Sequence, residues 1–263
     1  MAANYTPRPS ESLHWYALDG SPAYEVEAAK GGLRPTTLRD ARKLRLVPSV
    51  TSIIRTAAAP GLERWKQEQV LLAALTLPRR PVESEPEYIA RIIRDSQEQG
   101  RKAAARGTNI HAAVQGHYEG KPPDEEYWQH VKAAASKVEE VYGKQDWKAE
   151  HSFAHPLGFG GKVDLHCPIA VIDFKSKEFS DDSKKLAWDE HRMQLAACRT
   201  GLNTPHARCA NVFVSVNHPG LALCHEWPED ELKGAWAMFS SLLQYWQAKS
   251  GYNSAFSIRQ KAA

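Results

Sequence analysis

The 263-residue sequence has little cysteine: Cys167, Cys198, Cys209 and Cys224 are all there is, and no two form a CxxC pair. A disulfide scaffold, a zinc ribbon or a thioredoxin-type dithiol is therefore not expected, and the thiols should be reduced and mostly buried. No stretch approaches the roughly 18 to 20 consecutive apolar residues of a membrane span. The polar start, MAANYTPRPSES, lacks the apolar segment of a secretory signal. Both absences point to a soluble, intracellular protein. There is no GxxxxGKS/T loop, so ATPase or helicase chemistry is not expected, and no internal repeat or low-complexity segment is visible. What the chain does have is core material. Its 42% hydrophobic residues, 25% charged residues and eight tryptophans suit one decorated globular domain, or at most two small ones.

The net charge of +3 is too mild to announce a nucleic-acid binder, but it is unevenly spread. Lys30, Arg34, Arg39, Arg42, Lys43, Arg45 and Arg55 face a single Asp40 in one short segment. Such a strip suits a phosphate backbone, and a merely solvated basic face is the competing reading.

Along the chain, two short aromatic and β-branched runs flank Asp19-Gly20-Ser21-Pro22, which predicts a hairpin. Pro48 and Ser49 suit the start of a short helix. GLERWKQEQVLLAALTL carries Leu62, Trp65, Leu72 and Leu75 at helical spacing and ends before Pro78 and Pro81. A further helix is expected from about Glu85 to Arg106, with Ile89, Ile92 and Ile93 as its apolar side. Gly107-Thr108 restarts the chain into NIHAAVQGHYEG, and EEYWQHVKAAASKVEEVYG forms another helix. AEHSFAHP, GFGGKVDLHCP and AVIDFKSK then read as three strands. Asp182 to Gly201 returns to helical composition, RCANVFVSVN is a buried strand, ALCHEW a further strand, and PEDELKGAWAMFSSLLQYWQAK a last amphipathic helix. Helix, three strands, helix, strand describes one α/β core behind a mainly helical N-terminal region. A division at 1–106 and 107–263 is expected, the two forming one compact unit.

The chemistry concentrates in EHSFAHPLGFGGKVDLHCPIAVIDFKSK. Asp164 and Asp173 lie nine residues apart in β-type runs, and Lys175 follows two residues later. Residues i and i+2 of a strand share a face, so Asp173 and Lys175 project together while Phe174 points into the opposite core. If VDLH and VIDFK pair through Cys167-Pro168, Asp164 approaches Asp173. Two adjacent carboxylates repel unless a divalent cation lies between them, and Mg²⁺ or Mn²⁺ is the natural occupant.

The pattern D(x8)DxK resembles the PD-(D/E)XK nuclease superfamily. RGTNIHAAVQGHYEG looks like the RGTxxH helix of its RecB-like branch, and HRMQLAAC resembles that branch's QxxxY segment, with Gln194 matching and Cys198 where a tyrosine is common. VPSVTSIIRTAAAPGLERWKQEQ is similar to the N-terminal signature of the mitochondrial genome maintenance exonuclease group and its phage and bacterial relatives. The resemblance spans about Pro48 to Gly201. It implies an αβββαβ restriction-endonuclease-like core with a mixed central sheet flanked by helices. His111, Glu150, Asp164, Asp173, Lys175 and Gln194 fall in the family's order, while His117, His151, His155, His166 and His191 are read as structural or surface residues.

By that resemblance, one or two Mg²⁺ or Mn²⁺ ions would be held by Asp164, Asp173, the main-chain carbonyl of Phe174, His111 and, in part, Glu150. Lys175 would position and help deprotonate the attacking water or stabilise the pentavalent phosphorus, with Gln194 orienting Lys175 or the phosphate. An iron-sulfur cluster is not expected, because all four cysteines lie at or beyond the nuclease strands with no clustered trio. The implied partner is DNA, single-stranded or with free ends, with recombination or replication proteins as further partners and no membrane. Arg34, Arg39, Arg42, Lys43, Arg45, Ser49, Thr51 and Trp65 are the candidate DNA contacts, with Trp15, Tyr16 and Tyr24 as stacking surfaces. An exonuclease is favoured. A restriction or junction-resolving endonuclease, or a catalytically silent DNA-binding module of the same fold, are the alternatives.

Overall fold

The computed structural model describes residues 14–58, 60–180 and 186–256. In chain order the elements are β1 (Trp15–Tyr16), β2 (Glu25–Glu27), β3 (Leu33–Pro35), α1 (Leu38–Leu44), β4 (Val47–Pro48), α2 (Val50–Ile54), α3 (Pro60–Thr76) and α4 (Glu85–Tyr118). Then follow α5 (Trp128–Tyr142), β5 (Lys148–His155), β6 (Phe159–Cys167), β7 (Ala170–Lys177), α6 (Asp189–Gly201), β8 (Arg208–Ser215), β9 (Ala222–Trp227) and α7 (Glu229–Ser250).

The centre is a five-stranded sheet in the order β5-β6-β7-β8-β9. β7 and β8 run parallel and the other neighbours antiparallel, so the sheet is mixed. A parallel pair needs a crossover, and α6 supplies it. The alternation of β7 feeds two cores. Val171 packs with α6, α7 and α2, around Ile53, Leu195 and Phe239. Ile172 and Phe174 pack on the other face with Ile110 and Val114 of α4 and Val131 and Val138 of α5. Among the described residues no helix is long and apolar enough to cross a membrane.

Several local expectations need correction. The Asp19-Gly20 turn forms, with Gly20 at φ 89° and Asp19 Oδ1 accepting from the Ser21 amide. Its flanks close on one another through an antiparallel bridge between Tyr16 and Pro22 and the Ala17–Ser21 and Ala23–Trp15 backbone bonds, a minimal hairpin. β1 also pairs with β4, and β2 with β3. Trp15 is wholly buried against Trp246 of α7, and β1 lies between β4 and the chain that follows the turn. Trp15 and Tyr16 are therefore core residues, and the Tyr16 hydroxyl is hydrogen-bonded to that of Tyr24 at 2.7 Å, so neither Trp15 nor Tyr16 offers a stacking face.

The break expected at Gly107 is absent, because α4 runs without interruption for 34 residues. Glycine weakens a helix, but the helix continues through Gly107, where a Cβ would make an ordinary contact 3.7 Å from that of Ser176 on β7. On α4 Ile92 is buried while Ile89 and Ile93 are exposed. Leu62, Trp65, Leu72 and Leu75 of α3 are exposed as well. The helix of the 182–201 region begins only at Asp189, and 181–185 lie outside the described residues.

Candidate active site

The β6–β7 hairpin pairs Cys167 with Ala170, His166 with Val171 and Leu165 with Ile172, and the ladder stops there. The next two residues in line are Asp164 and Asp173. On the other side of β6, the pairs Ala149–Leu165 and His151–Val163 bracket Glu150 opposite Asp164. Glu150, Asp164 and Asp173 thus stand at one level on three adjacent strands.

Regular pairing is broken at that level. Asp164 Oδ2 accepts the Phe174 amide at 2.8 Å, a donor that an unbroken ladder would use. Glu150 has φ 53°, the left-handed region that non-glycine residues seldom occupy. Val163 and Leu165, which would share a face in a regular strand, belong to opposite cores. The pleat therefore changes face at Asp164, and the side chains at this level can meet α4.

They meet it at His111. Its Nε2 lies 3.5 Å from Asp164 Oδ1 and 4.0 Å from Glu150 Oε1. One donor atom from each of His111, Glu150 and Asp164 falls within 4.8 Å of the others. One imidazole nitrogen and two carboxylate oxygens suit a divalent cation such as Mg²⁺ or Mn²⁺. Burial pulls the His111 pKa down, but the Asp164 hydrogen bond and charge outweigh it and the net shift is upward. Burial pushes Asp164 up, and His111 and Lys175 outweigh that to leave it lowered. The Glu150 carboxylate is also paired with the ammonium of Lys162.

Asp173 stands outside this trio and is tied differently. Lys175 Nζ lies 2.8 Å from both of its oxygens. Gln194 Nε2 donates to Oδ1 at 2.7 Å, and Asn211 Nδ2 donates to Oδ2 at 2.7 Å. Lys175 also donates to Gln194 Oε1 at 3.2 Å. Burial, only partly offset by Lys175, pushes the Asp173 carboxyl up. Burial works against the Lys175 charge, but Asp173 and Asp164 more than restore it, so the lysine stays charged. The Phe174 ring packs into the other core, stacked on Tyr118 at 6.1 Å. Cys198 is buried one helical turn after Gln194, and burial raises its thiol well above the ordinary value.

The candidate DNA contacts are not part of this cluster. Arg34 is committed to Asp40 through two hydrogen bonds of 2.6 and 2.8 Å, and Arg42 donates to the Ser250 carbonyl at the end of α7. Arg39, Lys43 and Arg45 are exposed. The Ser49 hydroxyl is buried and caps α2 by accepting the Ser52 amide at 3.1 Å, with the Thr51 hydroxyl 3.1 Å away. Trp65 lies on the exposed side of α3, its ring passing over Gly100. Two residues of the cluster were not foreseen. Asn211 is the one amide inside an otherwise apolar β8 run, and that isolation is its signal. Lys162 shares a strand with Asp164 two positions on, but its pairing with Glu150 depends on the break in the ladder.

No family model matches the chain, and no curated protein does. Solved structures overlap it in part. A presumptive exonuclease from Eubacterium rectale is 13% identical, over 56% of this chain and 68% of its own, with a TM-score of 0.41. A protein named SSO0001 is 15% identical over 73% and 93% of the two chains, at 0.31. An alkaline exonuclease from Laribacter hongkongensis is 16% identical over 55% and 84%, at 0.28. Overlap this loose carries no functional argument, which falls to the site itself.

Proposed function

We propose that this chain is a divalent-metal-dependent deoxyribonuclease of the PD-(D/E)XK type, RecB-like branch, acting as an exonuclease on single-stranded DNA or DNA ends. The observation that supports it is the meeting of His111, Glu150 and Asp164 within 4.8 Å, beside a half-buried lysine held by Asp173 and Gln194. The donor set fits Mg²⁺ or Mn²⁺, with His111, Glu150 and Asp164 as the residues that would hold it. When bound, such an ion supplies Lewis-acid charge next to a phosphoryl oxygen and lowers the pKa of water.

The chain's own residues do the rest. Asp173, with its oxygens committed to Lys175, Gln194 and Asn211, fixes the ammonium of Lys175 at the edge of the acidic row. That ammonium is charged and can hydrogen-bond a water or a phosphate oxygen where negative charge develops. Gln194 touches both partners and sets the direction of the lysine. Arg39, Lys43 and Arg45 are free of any ion pair among the described residues and would contribute backbone neutralisation away from the chemistry.

Linear and circular single-stranded DNA, each with Mg²⁺, Mn²⁺ or excess chelator, test the reading. Loss of the linear substrate alone, abolished by chelator, is expected. Cleavage of the circle would instead make the protein an endonuclease, and binding without cleavage a silent module.

A further inference from the structure

Lys162 lies on β6 two residues before Asp164, and its ammonium pairs with the Glu150 carboxylate. The partners are unequal: 39% of the Lys162 side chain is exposed, against 12% of that of Glu150. Glu150 is held by its own backbone, in the left-handed region between two paired positions of β5. Lys162 is a long, flexible side chain reaching in from the rim.

The pairing repeats what Lys175 does for Asp173 across the row, with one difference. Lys175 is locked by Asp173 and Gln194, whereas among the described residues Lys162 forms its ion pair with a carboxylate that also belongs to the His111–Glu150–Asp164 trio. Without a counter-charge, Glu150 and Asp164 would repel at adjacent positions. Lys162 holds Glu150 Oε2 while Oε1 faces His111, so an ammonium and a divalent cation drawn to this one carboxylate repel each other and each weakens the other's hold.

We infer that Lys162 is a displaceable internal counter-ion of the metal site: it neutralises Glu150 in the metal-free protein, competes with a divalent cation for that carboxylate, and swings out to solvent when the cation binds. This rests on the proposed metal site. It makes Lys162 a positioning residue that sets the concentration of metal at which the enzyme switches on.

The test is a calorimetric titration with Mn²⁺, without DNA, of the full chain and of Lys162→Met, Lys162→Gln and Lys162→Arg. The two uncharged variants should bind Mn²⁺ about tenfold more tightly than wild type, the scale of one displaced ion pair, and Lys162→Arg should match wild type. The Mn²⁺ concentration for half-maximal DNA cleavage should fall in parallel. Two neutral substitutions of different shape guard against a misfolded variant, and melting curves check both. Equal Mn²⁺ affinity in wild type and the neutral variants overturns the inference while leaving the metal site intact. No Mn²⁺ binding by any of the four proteins overturns the metal-site reading, and this inference with it.

Discussion

The side-chain amide of Asn211 donates to Asp173 Oδ2 at 2.7 Å while its carbonyl accepts from the Trp227 indole at 2.7 Å. Asn211 is wholly buried on β8, in register with Asp173 on the parallel neighbour β7. The amide thus ties the carboxylate to a tryptophan of β9 that packs in the α6–α7 core. Because Asp173 in turn holds Lys175 and Gln194, the orientation of the lysine is set from the middle of the sheet.

Replacing Asn211 by leucine should be costly twice over. It leaves the Trp227 indole N–H unpaired, at about 1–3 kcal/mol for a buried group, and leaves Lys175 as the remaining partner of Asp173 Oδ2. A lower melting temperature and a reduced kcat are expected together. A variant that melts and turns over like wild type would show that the tie to Trp227 does not matter.

Lys175→Ala should lower turnover by about 10²-fold or more, the usual scale for a positioned proton-transfer group or charge stabiliser. It should still bind Mn²⁺, since the lysine is not in the trio. Asp164→Asn should lose the ion, and calorimetry tells the two defects apart. Near-normal cleavage by Lys175→Ala would remove the centre of the nuclease reading.

Activity should require Mg²⁺ or Mn²⁺ and disappear in excess chelator. Ca²⁺ should support DNA binding with little turnover, because its larger and looser oxygen cage fixes the reactants less well. Cleavage with Ca²⁺ at the Mg²⁺ rate would count against the compact trio.

The basic strip divides into two kinds of residue. Arg39→Ala, Lys43→Ala and Arg45→Ala together should weaken DNA binding for every sequence and reduce its salt dependence by about 0.7 of a log unit per lost contact. Arg34→Ala should act on folding, since Arg34 holds Asp40, whose carboxylate also closes the capping box of α1. Filter binding at several salt concentrations, beside melting curves, separates the two. An unchanged salt slope in the triple variant means the strip is only solvated.

His191 should give the fold an acid sensitivity. The ring is buried in α6, and its Nδ1 accepts the Trp188 amide at 3.2 Å, which requires the neutral form. Burial, helped by Lys177 and Lys175, lowers its pKa from 6.5 to about 3. The unfolded chain takes up this proton below about pH 6.5 and the folded one does not. Its stabilisation is therefore full above that pH and is lost as the pH falls toward 3. Melting temperatures between pH 7.5 and 4 should fall less steeply for His191→Asn than for wild type. Parallel curves would mean the ring protonates in place.

Much of the core was legible. VDLHCP followed by AVIDFK specifies a hairpin whose register follows from a short turn and a two-residue period, so Asp164 had to arrive beside Asp173. Lys175 on the face of Asp173, with Phe174 behind it, follows from the same period. Ser49 announced the start of α2 by its capping hydroxyl, and the last helix by its apolar spacing. The leucines of α3 show why spacing alone is insufficient. They are periodic enough to predict a helix, but which side of it is covered depends on α4, and the sides carrying Leu62 and Leu75 were left in solvent.

By itself, then, the sequence determined most of the elements, the order in which they follow one another, and the hairpin that brings the two aspartates to one level, because these depend on residues close together in the chain. Only the tertiary structure decided that β1 pairs with β4, that α4 passes straight through Gly107, and that the pleat turns over at Asp164. It also decided that His111 and Glu150 join Asp164 while Lys175, Gln194 and Asn211 claim Asp173. Each of these contacts joins segments distant in sequence, and its geometry is set by how two cores share one sheet, a competition for space that no local pattern records.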